Sequence, residues 1–145
     1  MRKIKFRGKC ISLKYEDESI YLKWIYGDLH HVGNEYFIYC DDGMWHEVDK
    51  DTIGQYAGVK DKNEKEIYDG DIVEFYNDVD YIVHPGIAKV IFDLGAFQME
   101  NEKYGTDYLG NMDIDDMGIR VIGNIYENPD LLKSKIEGEI NGKSI

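Results

Sequence analysis

The chain has little with which to enter or cross a membrane. Its longest apolar runs, such as Val90-Ile91-Phe92, fall far short of the roughly 18–20 residues a membrane-spanning helix needs, so no membrane association is expected. Behind Met1, Lys3, Lys5, Arg7 and Lys9 interrupt Ile4 and Phe6 and leave no apolar stretch of the kind a secretion signal requires. The expected location is the cytoplasm. Two cysteines, Cys10 and Cys40, are too few to staple a secreted scaffold and have no C-x-x-C spacing. They read as two reduced thiols, with a Cys10–Cys40 disulfide or metal pair as the lesser alternative. Neither G-x-x-x-x-G-K-[ST] nor G-x-G-x-x-G occurs, so no nucleotide cofactor is indicated.

Positive charge is also scarce beyond the start. Six basic residues, Arg2, Lys3, Lys5, Arg7, Lys9 and Lys14, precede the first acid, Glu16, and the other 11 of the 17 share the remaining chain with all 29 acidic residues. The net charge is −12. Lys and Arg contacts to phosphate supply most non-specific affinity for nucleic acid, so a body this acidic disfavours direct binding. What is present suffices to fold: 43% hydrophobic and 13% aromatic residues over 145 positions support one core and are too few for a multidomain enzyme. A single domain over residues 1–138 is expected, with 139–145 as a flexible tail.

The pattern along the chain is mainly β. Ile4 to Ile11 alternates and then bends at Gly8, and Ile20 to Gly27 is β-branched and aromatic. Tyr36–Cys40 and Met44–Val48 flank Asp41-Asp42-Gly43, which predicts a hairpin because Asp-Gly supplies positive φ. Thr52–Tyr68 reads as two short apolar segments around a polar turn at Asp61, Lys62 and Asn63. Asp69-Gly70-Asp71 then launches a strand over Ile72–Phe75, its turn fixed by the Asp71 carboxylate on local amides. Pro85-Gly86 is a turn signal before a strand over Ile87–Phe92. A long irregular insertion over 76–117 precedes a last strand at Ile119–Tyr126. Asn128 as N-cap, Pro129 at the first helical position and Asp130 in the first turn predict a short C-terminal helix to about Gly138. Gly54, Gly58, Gly70, Asp71, Gly123 and Pro129 are the residues whose turn and cap roles the backbone requires.

Five segments together carry a resemblance. They are Ile4-Lys5-Phe6-Arg7-Gly8-Lys9, Trp24-Ile25-Tyr26-Gly27, Ile53–Asn63 (with Gly-Gln-Tyr-Ala-Gly-Val-Lys-Asp-Lys-Asn), Glu66–Val73 and Val121–Leu132 (with Gly-Asn-Ile-Tyr-Glu-Asn-Pro). In order and spacing the chain resembles the YopX family of small bacteriophage and prophage proteins, from about residue 4 to 132, closely enough to admit identity with the founding member. The resemblance implies an SH3-like small β-barrel core, a phage or prophage setting and unknown biochemical function. It hands over no catalytic residue.

The reactive inventory is small. His30 and His31 are adjacent and face opposite sides of a strand. A zinc site from His31, His46 and Cys40 is conceivable around the hairpin, against surface histidines as the ordinary reading. Asp113, Asp115 and Asp116 fail the EF-hand pattern, with Met117 at its fifth position and Asn124 at its last. We therefore expect no catalytic, cofactor or metal residues. Twelve tyrosines and two tryptophans exceed what one small core holds, which favours a protein-interaction module with Trp24, Tyr56 and Tyr68 as candidate aromatic anchors. Tyr76, Tyr81, Tyr104 and Tyr108, interleaved with Asp78, Asp80, Glu100, Glu102 and Asp107, suit a basic protein partner of host or phage origin. The alternatives are an acidic DNA mimic that inhibits a host nucleic-acid-binding protein and a self-assembling structural component that forms a homo-oligomer.

Overall fold

In the computed structural model, residues 3–11, 22–79 and 82–133 are described. The chain folds as two compact units, Met1–Gly58 and Val59–Ile145, where the sequence pattern gave one domain over 1–138. The mainly β expectation holds in both units. The SH3-like barrel does not appear: the described residues form two antiparallel sheets, with no closed barrel among them.

Unit 1 contains β1 (Phe6–Lys9), β2 (Trp24–Val32), β3 (Glu35–Tyr39), β4 (Trp45–Val48) and the start of β5 (Gly54–Lys60), in the sheet order β4-β3-β2-β1-β5. β2 begins later and runs longer than the aromatic run suggested, and Ile20 and Tyr21 lie outside the described residues. The hairpin around Asp41-Asp42-Gly43 forms as its turn chemistry requires, pairing Tyr39 with Trp45 and Ile38 with His46. Alternation decides the faces. Ile25, Ile38, Val48 and Cys10 point into one buried cluster, against which Phe6, Leu29, Tyr36, Cys40 and Ile53 pack. The opposite face carries Tyr26, Tyr39 and Trp45, all exposed.

One close approach governs this sheet. Gly27 has φ +154°, and a Cβ built on it would lie 1.9 Å from the Tyr39 carbonyl oxygen. No side chain fits there without parting β2 from β3.

Unit 2 holds β6 (Glu66–Tyr68), β7 (Asp71–Val79), β8 (Ile82–Asp93), β9 (Ala96–Asn101), β10 (Gly105–Tyr108) and β11 (Arg120–Asn124), with the sheet order β10-β9-β8-β7-β11. The Asp71 side chain accepts from the Tyr68 amide at 2.8 Å, as the turn reading required. Two expectations need correction. Pro85-Gly86 is not a turn but lies inside β8, opposite Tyr76 and Phe75. The proline is tolerated because the amide of its partner Tyr76 points away from β8, to the Met117 carbonyl at 2.8 Å, so the ladder asks for no donor at position 85. The glycine is there because a Cβ would meet the Phe75 ring at 2.5 Å. Nor is 76–117 irregular: most of it is the β7-β8-β9-β10 meander. Gly95 sits at a hairpin turn and Asp93, Glu102 and Asp107 on exposed positions, which a search for apolar runs cannot see.

A buried carboxylate closes the other edge. Asp61 is 4% exposed. Its Oδ1 accepts from the amides of Asn63 and Lys65 at 2.8 and 2.9 Å, and its Oδ2 from the amide of Val121 at 2.8 Å. The adjacent Lys62 amide donates to Ile119 O at 2.9 Å. The turn after β5 thereby covers the outer edge of β11, which among the described residues pairs only with β7 and carries a bulge between Val121 and Gly123. At the C-terminal side, Asn128 does not cap the helix with its side chain. Its Oδ1 accepts from the Asn124 amide at 3.2 Å, while the Leu131 amide reaches its carbonyl. One helical turn, 130–133, follows; the expected helix to Gly138 and the tail 139–145 lie outside the described residues.

Replacing Asp61 by Ala leaves three backbone donors without their acceptor, and each buried unsatisfied group costs about 1–3 kcal/mol. We expect Asp61→Ala to lose about 3 kcal/mol or more by urea denaturation, and Asp61→Asn, which keeps one acceptor oxygen, to lose less. Gly27→Ala should lower the thermal midpoint more than alanine at the exposed Gly33, where a Cβ meets nothing within 4 Å; equal effects of the two changes would refute the close-approach argument.

Candidate interaction surface and a donor cluster

The three proposed anchors separate by burial. Tyr56 and Tyr68 are 6% and 2% exposed; they belong to the core and offer a partner no surface in this state. Trp24 is half-buried at the end of β2, with the Arg7 guanidinium 4.7 Å and the Lys9 ammonium 5.9 Å from its ring centroid. Lys5 sits similarly over Tyr26 at 5.7 Å. Lys5, Arg7 and Lys9 are thus spread on aromatic faces of their own sheet.

The other predicted surface gathers in unit 2. Among the described residues β10 ends its sheet, pairs only with β9, and is exposed at every residue. Tyr104 and Tyr108 stand exposed at its two ends, and Tyr76 is also exposed. The side chains of Asp78, Asp80 and Tyr81 fall outside the described part. Beneath β10 lies a cavity of about 240 Å³ lined by Phe75, Ala88, Met99, Met112, Met117 and Tyr104, with Asn101, Gly105 and Asp107 at its polar side. The polar lining is already engaged: Asn101 donates to Ile87 O, and Asp107 accepts from Tyr108 N and Asn111 Nδ2. Beside these polar groups the rest of the lining, Phe75, Ala88, Met99, Met112 and Met117, is soft and apolar. Around it stand Glu102, Asp107, Asp113, Asp115 and Asp116, all exposed. Asp113 Oδ1 accepts from the Asp116 amide at 3.0 Å, so this acid group shapes its own turn.

The histidine and cysteine candidates regroup. Cys10 is fully buried and Cys40 half-buried, and neither forms a disulfide. His31 is not near Cys40: it stacks on Tyr36, ring centroids 4.5 Å apart, and bonds to Gly33 O. His30 packs on Trp45 instead. Cys40 and His46 do meet, through Asp42. The Cys40 thiol donates to Asp42 Oδ1 at 2.7 Å, and His46 Nε2 lies 2.7 Å from Asp42 Oδ2. Asp42 Oδ1 also accepts from the Met44 amide at 2.8 Å. Sequence reasoning missed Asp42 because it served as a turn residue. The signal was its place two residues after Cys40 and four before His46, inside the predicted hairpin.

Hydrogen bonds from Cys40 and His46 hold the Asp42 carboxyl at about 2, below its ordinary 3.8. Burial, then the carboxylate beside it, raises the Cys40 thiol pKa. A raised thiol pKa is the opposite of what an activated nucleophile needs.

With this geometry in view, a family model for the YopX protein matches residues 5–133. The chain belongs to the YopX family. Two solved structures share its fold: protein EF1440 from Enterococcus faecalis, 23% identical, with a TM-score of 0.52 over 91% of this chain and 99% of that one, and protein yopX from Bacillus subtilis, 22% identical, with a TM-score of 0.52 over 91% and 97%. At 22% identity the chain is a relative of the Bacillus subtilis protein and not that protein, which corrects the reading that reached for the founding member. No match was found among curated protein sequences. The segments that carry the YopX resemblance include Asp61, Gly70 and Asp71. The donor cluster and the β9–β10 surface lie outside those segments.

The Asp42 shift makes a testable statement. A carboxyl whose folded pKa lies below its unfolded value stabilises the fold above the unfolded value and loses that contribution as pH falls through the folded one. The window here runs from about 3.8 down to about 2. In an NMR titration the Asp42 side chain should have its midpoint near the lower figure. A midpoint near 3.8 would mean that the Cys40 and His46 contacts do not form in solution.

Proposed function

We propose that this YopX-family chain is a non-enzymatic protein-interaction module of phage or prophage origin that docks a basic protein segment on the β9–β10 edge of unit 2. One observation carries the reading: a fully exposed edge strand lies over a methionine-lined cavity and is surrounded by acids. Edge strands add an extended peptide through main-chain bonds, and a pocket beneath the strand selects a side chain. Three methionines give that pocket adaptable walls. The acids supply complementarity to Lys and Arg, raising the on-rate in a salt-dependent way. A basic partner in the cytoplasm fits the chain's net charge of −12.

The test is capture by the tagged, full-length protein from nuclease-treated host lysate, eluted by stepped salt, beside a variant with Asp107, Asp113, Asp115 and Asp116 changed to Asn. We expect a basic protein released at moderate salt and retained at least about tenfold less by the variant, the loss being about 1.4 kcal/mol per tenfold. Retention unaffected by the four changes defeats the assignment of this edge. Competition by DNA for the captured protein would move the reading to a DNA mimic, and a sedimentation series showing dimer through β10 would move it to self-assembly.

A further inference from the structure

The hairpin between β3 and β4 holds a set of donors that the docking surface does not use. Cys40, Asp42 and His46 present one sulfur, one carboxylate and one imidazole nitrogen, all within 4.8 Å of one another. Three different elements position them. Cys40 directly follows β3 and packs against the unit 1 core, Asp42 sits in the turn, and His46 is fixed on β4 opposite Ile38, its side chain 3% exposed. The loop is set by its own backbone: Cys40 N donates to Met44 O at 3.2 Å, and Gly43 N to Cys40 O at 3.1 Å. The donors are therefore brought together by the hairpin before anything binds.

From this arrangement we infer a divalent zinc-class metal site with Cys40 Sγ, Asp42 carboxylate and His46 Nε2 as protein ligands. The donor chemistry chooses the ion. Ca²⁺ and Mg²⁺ want oxygen alone, whereas a mixed sulfur, nitrogen and oxygen set suits borderline-soft, tetrahedral Zn²⁺. Bonds of about 2.0–2.3 Å at tetrahedral angles put ligand atoms about 3.3–3.5 Å apart. The two pairs now at 2.7 Å need open by less than about 1 Å once the intervening protons leave. A thiolate, a carboxylate and a neutral imidazole together balance the charge of the ion, so the buried His46 side needs no further counter-charge. The Asp42 side chain is 44% exposed, which gives the ion an entry path and leaves a fourth position for water or for a donor from another molecule. The cluster differs from the Cys40, His46 and His31 set read from sequence, because His31 lies at the far end of the β2–β3 ladder, paired with Tyr36.

The test uses tag-free, reduced, full-length protein titrated with Co²⁺ as the spectroscopic probe and then with Zn²⁺ in competition. We expect saturation at one equivalent with a thiolate-to-cobalt charge-transfer band, displaced by Zn²⁺. Cys40→Ser should abolish the band, Cys10→Ser should leave it, and Asp42→Asn, which keeps the exposed turn and its acceptor for the Met44 amide, should weaken binding at least about tenfold. Because His46 is buried, His46→Ala is read only alongside a circular dichroism spectrum matching wild type. Zn²⁺ should raise the thermal midpoint of wild type and not of Cys40→Ser. Absence of stoichiometric binding, a band that survives Cys40→Ser, or an affinity indifferent to Asp42→Asn overturns the site.

Discussion

Unit 2 is organised around the carboxylate of Asp61. A buried acid is costly unless its oxygens are occupied, and here both are, by three backbone amides that have no other strand to pair with. Two of those amides belong to the turn itself and one to β11, 60 residues on. A local turn and a distant edge strand are thereby made conditional on each other. Without the carboxylate the outer edge of β11 would present a bare amide, and the turn would lose the acceptor that sets its shape. Asp71 repeats the device on a smaller scale, holding Tyr68 N so that β7 leaves the turn in register with β8.

Close approach of backbones is the second constraint, and it explains why glycine stands where side chains would otherwise add packing. In unit 1 the Tyr39 carbonyl occupies the space a Gly27 side chain would need. In unit 2 the Phe75 ring fills the space over Gly86, so an aromatic covers a glycine across the β7–β8 ladder. Both contacts run between strands, and both fix register: a slip of one residue would drive a Cβ into occupied space as well as turn the apolar face outward.

These two constraints account for what the amino-acid pattern disclosed and what it hid. The Asp-Gly hairpin, the Asp61-Lys62-Asn63 turn, the Gly70-Asp71 turn and the β11 segment were legible because each depends on local chemistry within a few residues. The acceptor role of Asp61 toward Val121, the strand through Pro85-Gly86 and the meander over 76–117 were not, since each depends on what lies opposite in the sheet. Proline reads as a turn unless one knows that its partner's amide points elsewhere. Tyr56 and Tyr68 were counted as exposed candidates because composition gives the number of tyrosines in excess of a core and not which ones they are; the structure buries these two and exposes Tyr26, Tyr39, Tyr104 and Tyr108. The donor cluster was half legible. Cys40 and His46 follow from the hairpin register, but Asp42 was assigned to the turn, and a residue can serve a turn with its backbone while its carboxylate serves the neighbours.

The division between scaffold and site follows from the same physics. The segments that carry the sequence resemblance hold buried acceptors such as Asp61 and Asp71 and the close approach at Gly27, roles in which almost any substitution has a cost in stability. The hairpin donors and the β9–β10 edge sit on connections and edges, where a change of side chain leaves the ladder bonds intact. Such places can acquire binding chemistry without rebuilding the core, so a shared fold at 22–23% identity carries no promise of a shared partner. In this chain exposed acids cluster around β10 and the turns that follow it. Elsewhere in unit 2 acids are matched across the ladder, Glu100 with Lys89 and Glu74 with Arg120. Glu102, Asp107, Asp113, Asp115 and Asp116 have no such cross-strand ion pair among the described contacts, so like charges are left crowded along one edge.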